Sequence, residues 1–324
     1  MEKKVLFLAW VNYLSRNALL ADYLGASIHF VTYGQRGGNP LLLPLRYIMQ
    51  SFLTWPILRK EKPDVIVVQV PPLPSAIVAY IYAVFFRARI VIDTHSSTFI
   101  SFWRRLLWLH RWLSRRALTT IVHNQQIKDI VDEWGCHTTY LGYIPGDYPQ
   151  GEPYELAQGF NVVATCSFDP DEPILEIVQA AQSVPEVNFY LTGNSSRASE
   201  EILASKPDNC QFTGYVSNDA YFGLLRGVDA IMDFTKWENT VLLGAHEAVS
   251  LGQPLVVSNS LTLRENFPSG TVHVPNTAEG IAEGVRQMQA EHSRYKKEML
   301  ALKEQLQSEF EQQLASLQNR IAEA

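Results

Sequence analysis

Cysteine is scarce in this chain: Cys136, Cys166 and Cys210 are the only three among 324 residues. Their scatter fits neither a disulfide framework nor a metal-ligand spacing, and implies a reducing, cytoplasmic compartment. No run of His, Cys, Asp and Glu has ligand-like spacing, so no bound metal is expected. Long apolar runs are missing too. The longest charge-free stretch of the first half, Val65 to Phe86, is broken by Pro71, Pro72 and Pro74. The apolar remainder beyond Pro74 is too short for a bilayer, which takes about 20 apolar residues. The apolar run after Lys3 and Lys4 is short and lacks a small-residue cleavage site, so it reads as a first buried strand rather than a signal peptide. No G-x-G-x-x-G comes after that strand, which leaves a nicotinamide dinucleotide unsupported. No recognised nucleic-acid module appears, and nucleic acid is not an expected partner.

Acid is scarce in one half only. Residues 1–120 carry fifteen Lys and Arg against five Asp and Glu, and the remainder carries twelve against twenty-eight. Two domains with different partners account for this better than one uniform domain, and the basic half suits anions. With 47% hydrophobic residues the chain can fill cores for both.

Apolar runs alternate with helical patterns throughout. Val5–Trp10, Ile28–Thr32, Val65–Val70, Ile90–Ile92 and Thr120–Val122 read as strands. Helical segments lie between them, around Asn17–Leu24, Leu45–Arg59, Ser75–Phe86 and Phe102–Leu118. Pro145, Gly146, Pro149, Gly151 and Pro153 mark a linker. Then Asn161–Cys166, Asn188–Thr192, Ala230–Phe234 and Leu255–Ser258 read as strands. Helices are expected at Ile174–Ala181, near Asp219–Leu225 and at Thr240–Leu251. This pattern predicts two doubly wound α/β domains, at 1–150 and 151–285. A long amphipathic helix is expected over 286–324. It carries an apolar stripe, from Tyr295 through Met299, Leu302, Leu306, Phe310, Leu314 and Leu317 to Ile321, that lies across the first domain or pairs with a second copy of the chain.

The segment Lys236–Val257 reads as a polar turn, a helix and a buried strand. Asn239 or Thr240 is expected to cap the helix, leaving the amides of Thr240, Val241 and Leu242 aimed at an anion. Glu247 lies two turns further on, and Gly252 and Pro254 stop the helix. A diphosphate at the helix start and a carboxylate beyond it suit a nucleotide sugar. This segment resembles the donor-site helix of GT-B glycosyltransferases of family 4. The resemblance implies that Glu247 binds ribose hydroxyls. The family's other glutamate falls on Asn239, with Glu238 one residue early. An ordinary capped helix of an α/β protein is the plain alternative.

Val67-Val-Gln-Val-Pro-Pro-Leu-Pro74, with Ile90-Val-Ile-Asp-Thr-His95, is similar to the first domain of the chitobiosyldiphosphodolichol β-mannosyltransferases. Thr165-Cys-Ser-Phe-Asp-Pro-Asp-Glu172, Thr192-Gly-Asn194 and Thr213-Gly-Tyr215 match turns of their second domain. On that resemblance Ser167, Gly193 and Tyr215 join the donor site. The Arg and Lys that hold the diphosphate in family 4 are absent, and Asp169, Asp171 and Glu172 stand in their place. His95 and Asp93 follow a strand at the carboxyl edge of a sheet, where ligands bind, and either is a candidate base. Arg16, after the first strand, is a candidate for an acceptor diphosphate, or else a solvated surface arginine.

Between Phe99 and Arg116 the chain has five arginines, three tryptophans and no acid. Trp103, Arg104, Arg105, Trp108, Arg111, Trp112 and Arg115 suit a helix lying on an anionic membrane surface, with Leu41 to Leu58 adding apolar residues. An internal helix with a solvated arginine face is the alternative. The whole implies a GT-B glycosyltransferase, peripheral at the inner membrane face. It would move a sugar from a nucleoside-diphosphate sugar, a co-substrate, to a glycan or lipid-linked acceptor, with no cofactor. A degenerate GT-B partner subunit and a sugar-nucleotide epimerase are the rivals.

Overall fold

Residues 3–34 and 42–324 are described by a computed structural model. The chain divides into two units, residues 1–144 with 309–324, and residues 145–308. In the first, β1 (Val5–Ala9), β2 (Ser27–Phe30), β3 (Val65–Val70), β4 (Arg89–Thr94), β5 (Thr119–Val122) and β6 (Thr138–Tyr140) form one parallel sheet. Its order is β2-β1-β3-β4-β5-β6. All of β1 and β3 is buried, because helices cover both faces of a parallel sheet. The helices are α1 (Ser15–Tyr23), α2 (Leu43–Glu61), α3 (Leu73–Phe86), α4 (Ser97–Ile100), α5 (Leu107–Ser114) and α6 (Gln125–Asp132).

The second unit repeats the plan. Its strands are β7 (Phe160–Ala164), β8 (Val187–Thr192), β9 (Cys210–Gly214), β10 (Ala230–Asp233), β11 (Leu255–Ser258) and β12 (Thr271–Val274), in the order β12-β11-β10-β7-β8-β9. Helices α7 (Ile174–Ser183), α8 (Glu200–Ser205), α9 (Asn218–Gly227), α10 (Leu243–Leu251), α11 (Leu261–Asn266) and α12 (Ala278–Ala290) alternate with them, and α13 (His292–Ala322) ends the chain. Each sheet reverses its strand order once, at β1/β3 and at β7/β10. Such switch points open crevices at the carboxyl ends of the strands.

Three expected helices differ in the structure. The one placed over Phe102–Leu118 is broken. Leu106 leaves the helical conformation, at φ −112° and ψ 19°, and ahead of it the Ser101 hydroxyl accepts the Trp103 amide. A 3-10 turn spans Phe102–Leu106, and α5 follows. The helix expected from Thr240 starts at Leu243, because Leu242 is extended, at φ −92° and ψ 137°, and Asn239 before it is left-handed, φ +58°. The terminal helix is two: α12 closes at Ala290 and α13 begins at His292.

The apolar stripe of α13 is covered within one chain, which leaves it unavailable as the seam of a homodimer. Tyr295 joins the core of the second unit. Phe310, Leu314, Leu317 and Ile321 join the core of the first, packing with β1 residues such as Phe7.

Candidate functional site

In the second unit the turns after β7, β8, β9 and β10 meet the start of α10 around a cavity of about 400 Å³. Of the expected donor residues, Ser167, Gly193, Tyr215, Leu242 and Glu247 line it. Gly193 is required there: it sits at φ +89°, and a Cβ would strike the Cys166 carbonyl. Glu238, Asn239, Thr240 and Val241 do not line the cavity. The Thr240 hydroxyl turns back to the Glu238 carbonyl (3.4 Å), and neither Asn239 nor Thr240 caps α10. The anion-ready amides expected at Thr240–Leu242 are therefore not the first turn of a helix.

The true helix start is fixed by Asp233, at the end of β10, whose Oδ2 accepts the Ala245 amide at 3.0 Å. Gly244 makes this approach feasible, since a Cβ there would collide with Thr165 Oγ1 and Asp233 Oδ2. Glu247 is 6% exposed and accepts a hydrogen bond from the Tyr221 hydroxyl at 2.6 Å. Burial pushes its carboxyl up to about 7, with the Tyr221 bond opposing. Burial, and then Glu247, hold Asp233 well above the usual carboxylate range. Glu172 also lines the cavity, accepting the Ser167 and Asp169 amides, and burial raises it as well. Three carboxylates and no Lys or Arg thus line the cavity among the described residues. Sequence reasoning missed Asp233 and Tyr221. Each is a lone polar residue in or near an apolar run, and only the fold aims it at Glu247.

In the first unit the ends of β4 and β5 bring three groups together. Asp93 is fully buried, with Oδ1 2.7 Å from His123 Nε2 and Oδ2 3.3 Å from His95 Nε2. Burial works to raise the Asp93 carboxyl, but the two imidazoles outweigh it and hold it well below the usual range. His123 is pulled down to about 3, by burial and then by Arg16, and is therefore neutral near pH 7. Both Asp93 oxygens are engaged, and His95 is the most exposed of the three, its side chain 17% accessible against 7% for His123. His123 was not expected from sequence, where it is an isolated residue after a short strand.

The three ligating atoms lie within 4.8 Å of one another, a grouping that the sequence spacing did not show. Both histidines are already bonded to the carboxylate and the Arg16 charge stands beside it, so the cluster suits a proton better than a cation. Arg16 is not a solvated surface residue: its guanidinium donates to the carbonyls of Leu141 (2.5 Å) and Gly142 (3.2 Å).

The arginine-tryptophan segment splits between two environments. Trp103 packs on the core of its unit and against Tyr47, ring centroids 5.7 Å apart, so it turns inward rather than out. Arg115 donates to the Trp134 carbonyl at 2.6 Å. Arg104, Arg105, Trp108, Arg111 and Trp112 are exposed. Beside them Ile48 and Phe52 of α2 and Val84 and Phe85 of α3 are exposed as well. Among the described residues no helix is long and apolar enough to cross a membrane.

No protein-family model matches the chain, and no curated protein does. Solved structures do. Sucrose-phosphate synthase from Thermosynechococcus elongatus shares 15% identity over 97% of each chain, with a TM-score of 0.74. HepE of Anabaena, in complex with UDP-glucose, shares 15% over 98% of this chain and 100% of its own, TM-score 0.73. The UDP-GlcNAc 2-epimerase of Neisseria meningitidis, bound to UDP-GlcNAc, shares 14% over 92% and 94%, TM-score 0.59. At these identities the likeness concerns the fold: the chain has the two-unit α/β GT-B architecture.

Proposed function

We propose that the chain is a glycosyltransferase that takes a sugar from a nucleoside-diphosphate sugar held in the second unit. The observation that carries this reading is the switch-point cavity at β7/β10, with Glu247 buried in its wall and bonded to Tyr221. A carboxylate so placed, its second oxygen free of that bond, suits a pair of ribose hydroxyls. A GT-B neighbour crystallised with UDP-glucose supports the same class of ligand.

The acceptor is a glycan or lipid-linked glycan. His95 takes the proton of its attacking hydroxyl, and Asp93 and His123 hold His95 in orientation through their shared hydrogen bonds. The exposed arginines and apolar residues of α2, α3 and α5 suit peripheral contact with an anionic membrane.

One observation favours a subunit without turnover: the cavity has three carboxylates and, among the described residues, no cation to meet a diphosphate. Thermal unfolding with a panel of nucleoside diphosphates, then product analysis with radiolabelled nucleotide sugars and native membranes, separates these readings. A raised melting temperature with sugar transfer supports the enzyme, because a ligand bound only by the folded state stabilises it. A raised melting temperature without transfer selects the silent subunit, and no shift with any nucleotide refutes both.

A further inference from the structure

The irregular segment that opens the second unit is tied to α9 and α10, the helices that carry Tyr221 and Glu247. The Gly146 amide donates to the Ser250 hydroxyl of α10 at 3.4 Å. The Tyr148 ring stacks on Phe222 of α9, with centroids 4.8 Å apart and planes 20° apart. Arg226, near the end of α9, donates to the carbonyls of Tyr148 (2.8 Å) and Pro149 (3.1 Å). The Glu152 amide donates to the Asp219 carbonyl in the first turn of the same helix, at 3.0 Å. The segment thus meets its backbone needs on α9, where a strand would use a ladder.

Two glycines let the backbones approach. A Cβ on Gly151, which sits at φ +74°, would strike the Gly223 amide, and a Cβ on Gly223 would overlap the Glu152 carbonyl oxygen. Gly223 lies inside a helix, where glycine is unfavourable, and there it admits the strap.

The same turn of α9 serves the cavity. Tyr221 and Phe222 are consecutive and meet different neighbours: Phe222 takes Tyr148, and the Tyr221 hydroxyl takes Glu247 Oε2 at 2.6 Å. Burial, and then Glu247, hold the Tyr221 phenol well above its usual range, so it stays a donor. A hydrogen bond this short weakens steeply as it lengthens or bends. A binding group keeps its place to within about 0.5 Å only when the packing behind it is locked. Tyr148, Gly151, Gly223 and Arg226 are that packing, and none of them lines the cavity.

Resting on the reading of Glu247 as the ribose carboxylate, we infer that Tyr148, Gly151, Gly223 and Arg226 are positioning residues for the nucleotide. They hold α9 where Tyr221 fixes the Glu247 carboxylate, and they set nucleotide affinity without touching the ligand.

The test uses the full chain. Calorimetric titration with UDP, GDP, ADP and dTDP finds the nucleotide that the wild type binds, and that nucleotide is used throughout. Tyr148→Ala and Gly223→Ala should each weaken binding about tenfold, as loss of one hydrogen bond to a charged group does. Tyr148→Phe keeps the stack and should restore wild-type affinity. Arg226→Met removes two bonds to the strap without a cavity and should also weaken binding; it decides the matter if circular dichroism shows the alanine variants unfolded. Tyr221→Phe should match the loss by itself. In that background the strap substitutions should add almost nothing, because residues that act through one bond are not additive. Unchanged affinity in the folded variants, or a full further loss on top of Tyr221→Phe, overturns the inference. A wild type that binds none of the four nucleotides sinks the parent reading instead.

Discussion

Glu247 sets a pH dependence of stability that is opposite to the usual carboxylate case. An ordinary glutamate titrates near 4.5, and burial raises this one to about 7 in the folded chain. Between those values the folded state holds a proton that the unfolded state has lost. The stability that the protonated group contributes is complete below pH 4.5 and disappears as pH rises through 7. A difference of about 2.5 units corresponds to roughly 3 kcal/mol at pH 8, taking about 1.4 kcal/mol per unit. Glu247→Gln removes the titration while keeping an oxygen for the Tyr221 hydroxyl. At pH 8 the variant should therefore be the more stable by up to about 3 kcal/mol, and at pH 5 the difference should shrink below about 1 kcal/mol. Calorimetry of both proteins across that range, following the transition that UDP shifts, measures it. The variant should also bind UDP less tightly, losing about 1.5–3 kcal/mol with a charged hydrogen bond. Parallel stability curves for the two proteins from pH 5 to 8 would refute the buried, proton-holding carboxylate. Unchanged UDP affinity would refute its ribose role.

Other perturbations test the remaining parts. Gly244→Ala should destabilise the second unit by about 1–3 kcal/mol, since the added methyl meets Thr165 and Asp233, and this outweighs the gain of about 1 kcal/mol in helix propensity; a stabilised variant in urea titration would show that α10 does not approach Asp233. His95→Ala should keep nucleotide binding but slow transfer by roughly 100-fold, as loss of a general base does; transfer at the wild-type rate would make His95 structural. Changing Arg104, Arg105 and Arg111 together to Gln should release the protein from phosphatidylglycerol vesicles in co-sedimentation, at about 1 kcal/mol for each charge, and high salt should mimic the variant. Arg115 is left unchanged because it holds the Trp134 carbonyl.

Much of this molecule is legible in its sequence, for one physical reason. Strands of a parallel sheet buried on both faces must be short, continuous apolar runs, and helices that cover them must be amphipathic. Val65–Val70 and Ala230–Asp233 declare themselves in this way, and their alternation with helices sets the doubly wound plan. Glu247 stands out in the sequence through the resemblance of its helix to a donor-site helix, and His95 through its place just after a strand. Tertiary structure alone decided the rest. Whether a Thr240 side chain caps a helix depends on where Asp233 and Gly244 pull the helix start. Whether Trp103 faces lipid or Tyr47 depends on how the segment packs against α2 and the core, which no periodicity marks. The Asp93–His95–His123 cluster joins two strands thirty residues apart, and the α13 stripe is covered by the chain itself rather than by a second copy. Local pattern determines which face of an element is apolar; only packing determines what that face meets.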